Sequence, residues 1–277
     1  MIDVGDLVLA AAAGLVVAVL CTPVGVSGAV LLLPAQTGLL GLAGPQVSST
    51  NLLFNVVSTP GGLSRLARST RLARADLTVV LVVAVPAAVG GALLRVTVLA
   101  GADTFRLLVG AALLPLAATL FWRVARPATG LTAGVAAQHD SPAGTRPATT
   151  GHRGTLAALA AVTSLIGAAV GFGGGSLLAP ALVVSTRRGP HEVAPLALLA
   201  TLVTSVTGLV AYTVLEQIDF GARPAAPNWS VGLAMGAGGL LGSLVGARLQ
   251  PHLPERGLTV LLATLVAAVA LAQLLRG

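Results

Sequence analysis

The sequence predicts an all-α integral membrane protein of two inverted repeats, each a broken or re-entrant helix pair followed by three transmembrane helices. Three observations predict this class. Of 277 residues, 55% are apolar and only 9% charged, and the mean hydropathy of +0.93 lies outside the range of soluble domains. A ten-residue motif occurs twice, as Gly25-Val-Ser-Gly-Ala-Val-Leu-Leu-Leu-Pro34 and Gly171-Phe-Gly-Gly-Gly-Ser-Leu-Leu-Ala-Pro180, each time dropping small residues and a proline into an apolar stretch. A polar connector separates the two copies and divides the chain almost evenly.

The elements follow in order. The first apolar stretch, Leu7 to Leu20, resembles a secretory signal, but Asp3 and Asp6 stand where a signal carries Lys or Arg, so it is expected to be retained. Leu20 precedes Cys21 where lipidation requires a small residue, and a single cysteine excludes an internal disulfide; Cys21 reads as a packing residue. Broken helix pairs are expected over Leu7 to Leu40 and Thr155 to Val184, since about 30 to 34 residues is too long for one crossing and short for two. Spans are expected at Asn51 to Leu63, Leu77 to Leu94 and Phe105 to Phe121 in the first half, and at Val193 to Leu215, Val231 to Leu249 and Leu258 to Leu275 in the second. None alternates as a barrel strand would, so spanning is helical. The connector Arg123 to Arg153 carries Pro127, Gly130, Gly134, Pro142, Gly144 and Pro147 and reads as a flexible linker. The domain division is 1–124, first transmembrane repeat; 125–153, cytoplasmic linker; and 154–277, second transmembrane repeat.

An offset of 146 aligns the halves: Gly25 falls on Gly171, Gly28 on Gly174, Leu31 and Leu32 on Leu177 and Leu178, Pro34 on Pro180, Val47 on Val193, Ser58 on Thr204 and Gly62 on Gly208. Arginine placement orients them. Arg65, Arg68, Arg71 and Arg74, the linker arginines, Arg187 and Arg188, and the Arg248 to Arg256 turn are expected in the cytoplasm. Glu216, Asp219 and both termini are expected outside. The first broken pair then enters from outside and the second from inside, as V-shaped pairs of short helices meeting near the midplane.

A helix that begins inside the membrane presents unpartnered N–H groups and about half a positive charge, and glycines admit an anion close to them. The breaks are expected at Ser27-Gly28 and at Gly173-Gly174-Gly175-Ser176. Three consecutive glycines cost helix stability beyond what close packing asks, whereas Gly236, Gly238, Gly239, Gly242 and Gly246 read as helix-packing residues. Asn51 and Asn55, four apart on one helix face, and Thr201 and Ser205 on the equivalent helix would complete a polar site.

Other functions are disfavoured. Every Asp, Glu and His lies in a terminus, loop or span edge, so no acid is placed for a midplane proton relay. His139, His152, His191 and His252 lack ligand spacing, and Ser27 and Ser176 lack a nearby base, so no metal site, cofactor or catalytic residue is expected. The net charge of +7 resides in connections beside apolar spans, which orientation in the membrane explains without nucleic acid. All sixteen basic residues are Arg, which fits a GC-rich bacterial genome and hence a bacterial cytoplasmic membrane.

At these residues the chain resembles the TauE/SafE family of sulfite and organosulfur anion transporters. The resemblance covers essentially the whole chain and is strongest at Gly171-Phe-Gly-Gly-Gly-Ser-Leu-Leu-Ala-Pro-Ala-Leu182, Ile218-Asp-Phe220 and Gly239-Leu-Leu-Gly-Ser-Leu-Val-Gly-Ala-Arg248. Ser49-Thr-Asn-Leu-Leu-Phe-Asn55 is similar to the family's polar helix. Ser27-Gly28-Ala29, where a glycine triplet is typical, and Leu196-Ala197, where a small polar pair is expected, depart from it. The resemblance implies a secondary transporter of sulfite, sulfonate, sulfoacetate or a similar sulfur oxyanion, working by alternating access, with a lipid bilayer as its surroundings. A non-transporting scaffold or assembly subunit, or a transporter of an unrelated anion, are the competing readings.

Overall fold

The computed structural model describes residues 3–22, 27–69, 74–125, 150–186, 190–221, 224–249 and 255–275. The motif's Gly25, the connector residues 126–149, and Arg187 and Arg188 lie outside the described residues. Within them the chain is all helical: α1 Val4–Cys21, α2 Ala29–Pro34 continued by a π turn Ala35–Leu39, α3 Pro45–Ser69, α4 Arg74–Thr97 and α5 Ala102–Ala125 form the first half. The second half repeats the order with α6 Thr150–Val170, α7 Gly175–Thr186, α8 Pro190–Gln217, α9 Trp229–Leu249 and α10 Glu255–Leu275.

Local chemistry sets several boundaries. Asp3 and Asp6 form a reciprocal capping box, Asp6 N–H donating to Asp3 Oδ1 at 2.8 Å and Asp3 N–H to Asp6 Oδ2 at 3.1 Å, which starts α1. Asn228 caps α9 by accepting from Val231 N–H at 3.1 Å, while its own N–H donates to Thr50 Oγ1 at 3.0 Å and pins that end to α3.

Among the described residues six helices are long and apolar enough to cross a membrane: Val4–Cys21, Arg74–Thr97, Ala102–Trp122, Arg153–Val170, Val193–Gln217 and Trp229–Gly246. Their outer surface is apolar too, with Val82, Val210 and Leu241 more than half exposed, as a lipid-facing surface requires. The chain is a multi-pass membrane protein. The expected span at Asn51 to Leu63 lies in α3, which is too polar for that set; its Ser48, Ser49, Thr50, Asn51 and Asn55 are buried where α8 and α9 cover it. The two arms of each broken pair are unequal, which corrects the expectation of short arms meeting halfway. With 18 and 21 residues, the first arms reach about 27 and 32 Å at 1.5 Å per residue, and only α2 and α7 are short. The breaks fall at the glycines, while Pro34 and Pro180 lie inside α2 and α7.

The halves interlock. The first helix of each half packs on the fourth helix of the other, α1 on α9 and α6 on α4; α3 likewise packs on α9 and α8 on α4. Exchanging the halves maps these pairs onto one another. Missing side chains make the approach possible. A Cβ on Gly238 or Gly242 would overlap the carbonyls of Ala11 or Leu15, and one on Gly91 that of Leu165. A second face of α9 meets α3 in the same way, since a Cβ on Gly236 would stand 2.6 Å from Val57 Cβ. Cys21 is a buried free cysteine.

Candidate functional site

The second break is shaped by two backbone turns. Gly171 ends α6 at φ +91° with its N–H donating to Gly167 O at 2.9 Å, and Gly173 follows at φ +72°, its N–H reaching the same carbonyl at 3.2 Å. Residues with a Cβ rarely hold such angles. The first bond inside α7 runs from Leu178 N–H to Gly174 O at 3.0 Å, so the amides of Gly175, Ser176 and Leu177 form the electropositive opening of that helix.

Hydroxyls press on the glycines from two helices. A Cβ on Gly173 would stand 2.6 Å from Thr201 Cγ2 and 3.2 Å from Ser205 Oγ; one on Gly174 would stand 2.7 Å from Ser164 Oγ and 2.8 Å from Thr204 Oγ1. On Gly175 it would overlap Ala197 O and crowd Thr201 Oγ1. Gly175 of α7 therefore packs directly on the backbone of Ala197 in α8. Most of these hydroxyls have partners: Thr204 donates to Ser164 Oγ at 3.0 Å and Ser176 to Phe172 O at 3.2 Å. Ser205 does not. Its Oγ is fully buried beside Gly173 and makes no hydrogen bond.

Side chains, more than amides, close the first break. Ser27 accepts from Ala29 N–H at 3.4 Å and donates to Asn55 Oδ1 at 2.9 Å. Asn55 Nδ2 donates to Gly171 O at 3.4 Å, so one asparagine ties the first break to the second. One turn earlier, Asn51 Nδ2 donates to Ala29 O at 3.3 Å and Asn51 Oδ1 accepts from Gln36 Nε2 at 2.8 Å. Gln36 lies in the π turn, a distortion that often marks functional positions. Its Oε1 is buried without a partner. Gly28 packs on α1, where a Cβ would come 2.7 Å from Val17 Cγ1.

A third cluster adjoins the second break. Arg95, near the end of α4, is buried to 1% exposure. Its guanidinium lies 3.8 Å over the Phe105 ring, and it donates from Nε to Ser48 Oγ at 3.4 Å and from Nη1 to Leu99 O. Ser48 in turn donates to Ala169 O at 2.9 Å, and Tyr212 to Ala168 O at 3.1 Å.

The ten residues singled out from the sequence thus fall into two contacting groups. Ser27, Gly28, Asn51 and Asn55 surround the first break, and Gly173, Gly174, Gly175, Ser176, Thr201 and Ser205 the second, with the Asn55 to Gly171 bond joining them. Gln36 and Arg95 are the additions. Gln36 is a lone amide in an apolar run, and periodicity gives no reason to single it out. Arg95 stands directly after the expected span Leu77 to Leu94, at a span edge where an arginine is ordinary, so its position gives no reason to single it out either. Among the described residues no group of His, Cys, Asp and Glu is gathered as a metal site would need.

The sequence matches the family described as Sulfite exporter TauE/SafE over residues 10–272. It matches no curated protein and no solved structure.

Proposed function

The chain belongs to the sulfite exporter TauE/SafE family, and from that premise we propose that it carries a small sulfur oxyanion, such as sulfite, a sulfonate or sulfoacetate, across a bacterial cytoplasmic membrane. The anion binds where the two breaks meet. The observation that carries this reading is the buried, unpartnered Ser205 Oγ beside the glycine turn that opens α7. A hydroxyl left without a partner away from water costs free energy, and an oxyanion held against the α7 amides accepts that hydrogen bond. Asn51 and Asn55 belong to the polar wall of the same site, Asn55 by spanning both breaks.

The two halves stand inverted in the bilayer, and the site opens to one side and then the other as they rock about the α3 and α8 contact. The helix pairing that survives exchange of the halves supports this reading, as does the clustering of arginines in the connections expected to be cytoplasmic. The linker is cytoplasmic and both termini are outside. No cofactor enters the mechanism.

Purified protein in liposomes should take up sulfite or a sulfonate, and the same anions should raise its melting temperature in detergent. Wild-type protein that neither moves nor binds sulfite, a sulfonate or thiosulfate refutes the proposal. Bulky replacement of the glycine triplet cannot serve as the test, because each missing Cβ already faces protein atoms and a scaffold would lose its fold equally.

A further inference from the structure

Resting on the anion-transport reading, we infer that the site takes its anion in protonated form, as bisulfite rather than a sulfonate or the sulfite dianion, with Gln36 Oε1 accepting from the substrate hydroxyl. Gln36 lies in the π turn that continues α2. The residue is fully buried, and its Oε1 makes no hydrogen bond.

The direction of this amide is fixed by its neighbours. Asn51 Nδ2 donates to Ala29 O, a backbone carbonyl that can only accept, so Asn51 turns its Oδ1 toward Gln36. That oxygen requires a donor, and Gln36 Nε2 supplies it at 2.8 Å. The same Nε2 donates to Met235 Sδ at 3.7 Å. Reversing the amide would set Gln36 Oε1 against an oxygen and a sulfur with no hydrogen between them. Oε1 is therefore the end left over, an acceptor that only a donor from elsewhere can satisfy.

Gln36 is held at the wall where the two breaks meet. The Cβ of its partner Asn51 lies 3.0 Å from where a Cβ on Gly171 would stand, and Asn55, one turn on, donates to Gly171 O. The acceptor thus stands one side chain away from the turn that ends α6. Sulfonates and the sulfite dianion, like ionised carboxylates, are acceptors only. Against Oε1 they set lone pair on lone pair and leave the buried carbonyl unsatisfied. Bisulfite has the same single charge as a sulfonate and adds one O–H, which Oε1 accepts. A site built to bond a substrate hydroxyl rejects the analogue that lacks it. The proton stays on the substrate oxygen, because an amide carbonyl is too weak a base to take it.

The test compares bisulfite with methanesulfonate, a monoanion of similar shape without an O–H, by titration calorimetry of the purified chain in detergent at a pH where bisulfite predominates. Wild type should bind bisulfite roughly 10- to 100-fold more tightly. Gln36→Met keeps the length of the side chain and removes the acceptor. It should weaken bisulfite about tenfold or more and leave methanesulfonate within about threefold. Gln36→Glu, whose buried carboxyl is neutral at that pH, offers a hydroxyl to Asn51 and a carbonyl in the place of Oε1, and should keep the preference within about threefold of wild type. It also decides the matter if Gln36→Met does not reach the membrane. Wild type that fails to prefer bisulfite overturns the inference while leaving anion transport intact. So do equal losses for both anions in Gln36→Met, as a water on Oε1 or a purely structural amide would give, and a Gln36→Glu protein without the preference. Wild-type protein that binds no sulfur oxyanion at all would instead overturn the transport reading, and this inference with it.

Discussion

Ser205→Ala should move two measurements in opposite directions. The Ser205 Oγ is fully buried and makes no hydrogen bond. Burying a hydroxyl unsatisfied costs about 1–3 kcal/mol on the scale of protein mutations. Removing one oxygen leaves a void smaller than a methyl group, which returns at most about 1 kcal/mol of that. The variant without ligand should therefore be as stable as wild type or up to about 3 kcal/mol more stable. With sulfite bound, the serine donates to a charged acceptor, an interaction worth about 1.5–3 kcal/mol. Its loss should weaken binding by roughly 10- to 100-fold. Thermal unfolding of both proteins in detergent, titrated with sulfite, reads both effects in one experiment. A variant that melts below wild type without ligand, yet keeps the full sulfite-induced shift, would show that Ser205 is an ordinary packing residue and refute the reasoning.

Neighbouring glycines on α4 should behave oppositely. Gly90→Ala meets only Leu165 Cδ1 at 4.0 Å and should stabilise by about 0.5–1 kcal/mol, whereas Gly91→Ala drives a methyl into Leu165 O and should lower the yield of monodisperse protein in size-exclusion chromatography. Asn55→Leu removes the bonds to Ser27 and Gly171, and at about 0.6 kcal/mol per interhelical hydrogen bond in a membrane it should cost roughly 1 kcal/mol of thermal stability. Because it unties the two breaks, its loss of sulfite flux should exceed that modest destabilisation; unchanged flux would remove Asn55 from the site.

The strongly apolar spans were legible because hydrophobicity in lipid is a one-dimensional signal: α4, α5, α8 and α9 cover the stretches expected for them. The repeat was legible because its glycines and proline recur at a fixed offset, and α2 and α7 do begin just after the aligned positions Gly28 and Gly174. Less was readable where one residue type serves two purposes. Arginine served as a marker of orientation, which hid Arg95 inside the protein. Pro34 and Pro180 sit within helices, one turn past the breaks expected at the glycines, and at the second break Gly171 and Gly173 turn the chain at positive φ before the proline is reached. The lengths of the first arms were missed for another reason: Thr150 to Gly154 is polar by composition but follows the helical register of α6.

The crossed pairing of first and fourth helices bears on how the chain is made. When α1 leaves the ribosome, the helix it packs against, α9, begins about 200 residues downstream, and at 5–20 residues per second synthesis of that stretch takes about 10–40 s. During that interval Gly14 and its neighbours on α1 face lipid or a chaperone instead of Met235. A half-length chain has the same difficulty permanently, since neither half contains the partner of its own first helix. An ancestral single repeat with this packing would have been stable only as a dimer whose subunits lent each other their first helices, and fusion of two copies would have turned that obligatory dimer into one polypeptide.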